Sequence, residues 1–184
     1  MTVLYRDVNA GEWFVGAVKF VYDNGIMNGI SADQFDPNGK LTRAQFVTVL
    51  HNMEGKPQVD YQDIFTDVPN GEWYSIPVIW AYNLKITSGI GNGLFGTKNI
   101  ITREQLATML YSYAKTKGLD TSYTAGAIDG FADRANVDSW AEEAMNWAVS
   151  HGVMNGNGAG LDPRGEANRA QCAQMIKNLK EKVK

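Results

Sequence analysis

Three pairs of an aspartate and an arginine recur along the chain at one separation, and their side chains are suited to polar recognition. Each arginine follows its aspartate by 36 residues: Asp7 and Arg43, Asp67 and Arg103, Asp133 and Arg169. Arginine presents a planar fork of N–H donors that matches a carboxylate, whereas an ionised aspartate only accepts hydrogen bonds. The pairs therefore indicate either binding of an acidic, hydroxyl-rich ligand or a structural salt bridge within each pair.

Tryptophans and glycines accompany the pairs in the same order. After the aspartates come Trp13, Trp73 and Trp140, and then Gly29, Gly89 and Gly156. A tryptophan at a pocket rim can cover a sugar ring while its indole N–H bonds a hydroxyl, but a tryptophan on an apolar helical face more often packs in the core. The glycines either cap helices or let a ligand reach backbone N–H groups.

The recurring landmarks indicate one unit copied three times. We predict repeats at residues 1–56, 57–117 and 118–184 that form one compact unit, because neighbouring repeats bury each other's apolar faces. By composition, Gly55 to Ile64 and Ala114 to Gly130 are predicted linkers, and the second is expected to run over the surface.

Each copy shows two amphipathic helical patterns and no strand periodicity, which predicts an all-α fold of three helix-loop-helix repeats. The first pattern begins at Trp13, Trp73 or Trp140, and Trp80 and Trp147 follow as core candidates. The second begins after Thr42, Thr102 or Asn168, each with a glutamine three residues later, which predicts a capping box. Its apolar face in the second copy comprises Leu106, Met109, Leu110 and Tyr113.

The capping boxes do not explain why an arginine follows the N-cap residue in each copy. A cation in the first helical turn faces the positive end of the helix dipole, which costs about 0.3–1 kcal/mol. An anion held by the arginine and the free helix N–H groups would offset this cost. On that hypothesis, Arg103→Ala weakens ligand binding with little change in thermal stability, whereas a salt bridge with Asp67 would make the same substitution destabilising.

Composition excludes several other functions. A net charge of -3 and a pI near 5.4 argue against nucleic acid as a partner. The single cysteine, Cys172, excludes an internal disulfide and is predicted to be a buried thiol. No apolar segment is long enough to span a membrane, and we predict no metal, cofactor or catalytic residues.

The ordered motifs resemble the S-layer homology domain, in three tandem copies over essentially the whole chain. The resemblance rests on Tyr5-Arg6-Asp7-Val8 and Phe65-Thr66-Asp67-Val68, the following tryptophan, the glycine loop and the Thr-Arg helix start. Copy three departs most, with Leu161 in place of the aromatic residue and Asn168 in place of threonine. The resemblance implies a three-pronged, pseudo-threefold arrangement around a central helix bundle.

The resemblance also implies grooves between copies that bind the secondary cell-wall polysaccharide of Gram-positive bacteria, a peptidoglycan-linked glycan, through a pyruvate ketal on a terminal sugar. In that case Arg43, Arg103 and Arg169 would hold the ketal carboxylate, and Asp7, Asp67 and Asp133 would bond sugar hydroxyls or orient the arginine. Trp13, Trp73 and Trp140 would form the groove wall, and Gly29, Gly89 and Gly156 would allow close approach of the ligand.

We therefore expect a non-catalytic carbohydrate-binding anchor at the extracellular cell wall or surface layer. The sequence lacks an export signal, and a methionine directly before the first motif indicates a fragment of a larger secreted protein. Two alternatives stay open: a module that self-associates into a surface lattice, and a glycosidase that uses two of the acidic residues. Such an enzyme needs two carboxylates at a close, fixed separation, which sequence alone cannot establish for any pair.

Overall fold

The computed structural model describes residues 5–184, and all regular structure within that range is helical, which confirms the all-α prediction. Each copy contributes a short first helix and a longer second helix. The helices are α1 Val15–Asp23, α2 Arg43–Met53, α3 Ser75–Asn83, α4 Arg103–Lys117, α5 Glu142–Ser150 and α6 Arg169–Lys182. Residues 1–4 of the predicted first repeat lie outside the described range.

Capping boxes determine where α2, α4 and α6 begin, as predicted. The Thr102 hydroxyl accepts the N–H of Gln105 at 3.3 Å, and the Gln105 side-chain oxygen accepts the N–H of Thr102 at 3.3 Å. The same reciprocal bonds occur in the other copies, at Thr42 with Gln45 and at Asn168 with Gln171. Because each box satisfies two N–H groups that the helix cannot pair, every second helix begins at its arginine.

The first helices begin two residues after the tryptophans, so the predicted place of these tryptophans on an apolar helical face is wrong. The residues before α1, α3 and α5 offer no side-chain cap, and the chain there forms turns, such as Ser75 N–H to Glu72 O at 3.0 Å. Trp13, Trp73 and Trp140 are 60%, 58% and 53% exposed. Trp80 and Trp147, the predicted core residues, are buried.

The first helix of each copy packs mainly against the second helix of another copy. Helix α3 packs on α2, α5 packs on α4, and α1 packs on α6. The predicted apolar face of α4 is buried throughout. Since burying a leucine side chain contributes about 1.5–3 kcal/mol, most of the stability of these short helices comes from their neighbours.

A closed ring of backbone hydrogen bonds joins the segments that lead into the second helices. Ile101 donates to the carbonyl of Leu41 at 2.9 Å, Leu41 donates to that of Ala167 at 3.1 Å, and Ala167 donates to that of Ile101 at 2.9 Å. All three residues are fully buried, so these bonds satisfy groups that water does not reach. The three copies thus meet at one buried junction, whereas the three-pronged arrangement around a helix bundle stays a prediction.

The second predicted linker begins too early in the sequence. Helix α4 continues through Ala114 to Lys117 and ends at Gly118, which adopts a left-handed conformation with φ 66°. The remaining linker is held to the core, because Trp147 donates its indole N–H to the Asp120 carbonyl at 3.0 Å and Ile128 is buried. Composition alone underestimated the helix because its last three residues, Lys115 to Lys117, are polar and exposed.

Cys172 lies on the buried face of α6, which confirms the predicted buried thiol. Burial raises its pKa to about 12, so almost no thiolate forms at neutral pH. We expect an aromatic disulfide reagent to leave Cys172 unlabelled in the native protein and to label it fully in denaturant. The absorbance of the released thiolate measures both, and rapid labelling of the native protein would contradict the buried position.

Candidate functional site

Each of the three arginines, Arg43, Arg103 and Arg169, reaches from the start of its helix into a loop of another copy. Arg103 is 4% exposed, and it donates from Nε to the Leu161 carbonyl at 2.7 Å and from Nη2 to the Asn155 carbonyl at 2.9 Å. Arg169 makes the equivalent bonds to the carbonyls of Phe35 and Asn28. Arg43 donates from Nε to the Phe95 carbonyl, but its Nη2 reaches the Thr87 hydroxyl, at 3.4 Å. Because a guanidinium has five N–H donors, these contacts leave donors for a ligand.

Aromatic rings support two of the three guanidinium groups. Arg43 lies 5.0 Å from the ring centroid of Phe95, and Arg169 lies 4.7 Å from that of Phe35. Both distances are typical of cation–π contacts. Arg103 has Leu161 at the corresponding position, so its orientation rests on the two carbonyl bonds.

The aspartates bind backbone N–H groups, which does not support the alternative of a structural salt bridge within each pair. The carboxylate of Asp7 accepts from Phe35 N–H at 2.9 Å and from Asp36 N–H at 2.7 Å. Asp67 and Asp133 make the corresponding bonds. Within residues 5–184 no ion pair joins these aspartates to the three arginines. The N–H of Leu161, with that of Asp162, holds the pKa of Asp133 below its ordinary value despite partial desolvation.

One residue links each aspartate to an arginine of a different copy. Phe95 donates its N–H to Asp67 at 2.7 Å, and its carbonyl accepts from Arg43 Nε at 3.0 Å. The same link passes through Phe35 between Asp7 and Arg169, and through Leu161 between Asp133 and Arg103. An aspartate can thus position an arginine through this backbone segment, while direct bonding of the carboxylate to a sugar hydroxyl stays a prediction.

The glycines lie against aromatic rings. A Cβ on Gly29 would meet Cε1 of Tyr5 at 2.5 Å, and one on Gly89 would meet Cε1 of Phe65 at 2.7 Å. Gly156 has the same relation to Phe131, at 2.8 Å. Backbone carbonyls of the same loops lie as close to the Cβ positions of Gly29 and Gly89. Since real Cβ atoms do not approach rings or carbonyls so closely, packing within the protein requires glycine here, and the role in ligand approach stays a prediction.

Two grooves lie beside the arginines, and each draws residues from all three copies. We call the first, of about 920 Å³, the Arg43 groove: it is lined by Arg43 of copy one, by Gly89 and the outer face of α4 from copy two, and by Trp140 of copy three. The second, of about 670 Å³, is the Arg103 groove. Its lining includes Arg103, Gly156, the outer face of α6, and Trp13.

Each groove therefore combines predicted site residues from different copies, whereas the repeats had grouped the residues of one copy together. Gly89 shares a groove with Arg43 and Trp140, although the repeats grouped it with Arg103 and Trp73. Arg169 lies at the loop of Gly29, where its Nη2 donates to Asn28 O at 2.6 Å. Trp73 lines neither the Arg43 groove nor the Arg103 groove.

Polar residues on the second helices complete the groove walls, although the sequence did not single them out. They are Thr108 and Ser112 on α4, and Gln174 and Asn178 on α6. Their spacing of four residues, on one face beside the apolar stripe, is the signal that could have found them. With the arginine and the indole, they offer hydroxyl, amide and guanidinium groups, which suit a ligand rich in hydroxyls with an acidic group.

Comparison with known proteins identifies one family over most of the chain. The model of the S-layer homology domain matches residues 4–47, 64–107 and 130–173. Among the described residues, no helix is long and apolar enough to cross a membrane.

Individual relatives are much longer than this chain. The chain is 27% identical to "Exoglucanase XynX" of Acetivibrio thermocellus, over 98% of the chain and 16% of that protein. It is 27% identical to "S-layer protein sap" of Bacillus anthracis, over 94% of the chain and 20% of that protein. It is 30% identical to "Endoglucanase" of Bacillus sp. (strain KSM-635), over 97% of the chain and 19% of that protein. The chain thus spans about a fifth or less of these relatives.

Proposed function

Because the chain belongs to the S-layer homology domain family, we propose that it binds pyruvylated secondary cell-wall polysaccharide in the Arg43 and Arg103 grooves and so anchors a larger protein to the cell wall. S-layer homology domains are non-catalytic cell-surface anchoring modules of S-layer proteins and surface enzymes. Such modules act outside the cell or at its surface. The pyruvylated ligand is the specific part of the proposal.

The observation that carries the proposal is the pairing of a buried guanidinium with an exposed tryptophan in one groove. Arg43 is oriented by the Phe95 carbonyl and ring and still has free N–H donors, while Trp140 stands 53% exposed on the groove lining. A carboxylate bound to such a fixed donor and a sugar ring against the indole would use both. A pyruvate ketal supplies the carboxylate directly on the ring.

Two grooves on one small unit would also strengthen attachment to a wall. Neighbouring glycan chains in a wall are held at high local concentration, so binding of one chain favours binding of the next. Retention can then be strong even where each groove binds weakly.

We expect Trp140→Ala and Trp13→Ala each to weaken binding of purified wall polysaccharide in their own groove without lowering the melting temperature, since both side chains are mostly exposed. The double variant should lose about tenfold in affinity, equivalent to ~1.4 kcal/mol. Calorimetric titration measures the affinity, and thermal unfolding measures stability. Tyr123→Ala removes an exposed aromatic side chain outside both grooves and is the matched control.

The same titration with chemically depyruvylated polysaccharide tests the ligand class. We expect a large loss of affinity for the wild-type protein, because the carboxylate that faces the arginine is gone. Equal binding of both glycans would contradict recognition of the ketal. An absence of binding to either glycan, with oligomers that grow with protein concentration, would instead favour the self-association alternative.

A further inference from the structure

A lysine occupies a backbone position that is glycine in the other two copies. Lys85 follows α3 with a left-handed φ of 58°, and the equivalent residues are Gly25, with φ 65°, and Gly152, with φ 60°. All three make the same turn, in which the N–H bonds the carbonyl three residues earlier at 2.9 Å. Only glycine adopts this conformation without strain. The turn itself does not require a lysine, yet Lys85 is exposed and lines the Arg43 groove.

A second lysine lies against the equivalent turn in the Arg103 groove, although it comes from a different helix. Lys182 extends from the end of α6, and its Nζ donates to the Gly152 carbonyl at 2.8 Å. That Nζ lies 3.0 Å from where a Cβ on Gly152 would be, which is the point at which the Lys85 side chain leaves the backbone in copy two. Lys182 also lines the Arg103 groove.

Within residues 5–184, no lysine lies against the equivalent turn of the first copy. No described atom beyond the neighbouring residues lies within 4 Å of the Cβ position of Gly25. A lysine therefore stands at this point in the Arg43 and Arg103 grooves and is missing at the loop beside Arg169, although the backbone is the same in all three.

On the basis of the proposed function, we propose that Lys85 and Lys182 form a second cationic subsite in their grooves, which binds an acidic group of the glycan other than the one held by the arginine. The arginine is buried and oriented by carbonyls, whereas both lysines are exposed and have flexible stems. A buried guanidinium suits one carboxylate of defined geometry, whereas an exposed ammonium on a flexible stem suits a second charge whose position varies along the glycan chain. The ligand class is a glycan end with two separate anionic groups.

The test uses Lys85→Gly with Lys182→Gln, titrated with untreated and with depyruvylated wall polysaccharide. Lys85→Gly restores the residue of the other copies and relieves the strained φ, so this change does not lower the melting temperature. We expect about three- to fivefold weaker binding of the untreated glycan, as for loss of an exposed ion pair in each groove. The loss should diminish at high salt, because salt screens exposed charges. The control is the double variant Lys19→Gln with Lys98→Gln, which also loses two positive charges but outside both grooves. It should bind the glycan with the affinity of the wild type.

Each outcome decides the inference. A similar loss with depyruvylated glycan supports a second acidic group. A loss of affinity that disappears on depyruvylation shows that lysine and arginine share the ketal carboxylate, and it overturns the inference. Wild-type affinity of the lysine variant for the untreated glycan also overturns it. So does complete loss of binding by the wild-type protein on depyruvylation. If the wild-type protein binds no glycan at all, the proposed function fails together with the inference. That outcome is distinguishable from failure of the inference alone, in which the wild-type protein still binds the untreated glycan.

Discussion

Asp67→Ala is expected to destabilise the protein by about 3 kcal/mol, which lowers the melting temperature by about 6–12 °C in a chain of this size. The Asp67 carboxylate accepts N–H bonds from Phe95 at 2.7 Å, from Gly96 at 2.8 Å and from Thr97 at 2.9 Å. Removal of the carboxylate leaves these donors unpaired in a loop where Phe95 is fully buried. Denaturant unfolding measures the free energy change.

The same bonds predict how stability depends on pH. Burial alone would raise the pKa of Asp67, but the N–H groups of Thr97, Phe95 and Gly96 outweigh it and hold the pKa below its ordinary value. Because the folded pKa is lower than the unfolded one, the contribution is present above about pH 4 and is lost as the pH falls through the folded pKa. Asp67→Asn should remove part of this acid dependence. The exposed Asp60→Ala is the control, and an equal effect of both alanine variants would contradict the structural role.

Arg103→Ala is expected to lower stability by about 3 kcal/mol even without ligand, since it leaves two carbonyls without donors and deletes a buried side chain. This expectation differs from the one drawn from the sequence, in which thermal stability stayed nearly unchanged. The reason is the 4% exposure of Arg103 and its bonds to Leu161 and Asn155. Thermal unfolding of the ligand-free variant is the measurement.

Arg134→Ala is the matched control for Arg103→Ala. Arg134 is half-exposed and forms surface ion pairs with Asp129 and Glu142, which contribute little in water. We expect the control to melt close to the wild type. Near-wild-type melting of Arg103→Ala would show that its carbonyl bonds do not stabilise the fold, and it would return the arginine to a role in ligand binding alone.

Local sequence signals predicted most of the secondary structure because their causes are local. A capping box needs only residues three apart, so the starts of α2, α4 and α6 were predicted at the correct residue. The first helices have no such cap, so their predicted starts rested on apolar periodicity alone and were placed too early, at the tryptophans. The end of α4 was missed for a similar reason: after Ala114 its last three residues are polar and exposed, and no apolar period distinguishes them from a linker.

The sequence by itself determined the all-helical class, the three copies and the starts of the second helices, since repetition, periodicity and capping depend on near neighbours. It could not determine which copies share a groove. That was decided by the tertiary structure, in which the segments before the second helices close into a ring and direct Arg43 toward copy two, Arg103 toward copy three and Arg169 toward copy one. The constant interval of 36 residues therefore reflects repetition of the unit, while each aspartate supports an arginine of a different copy.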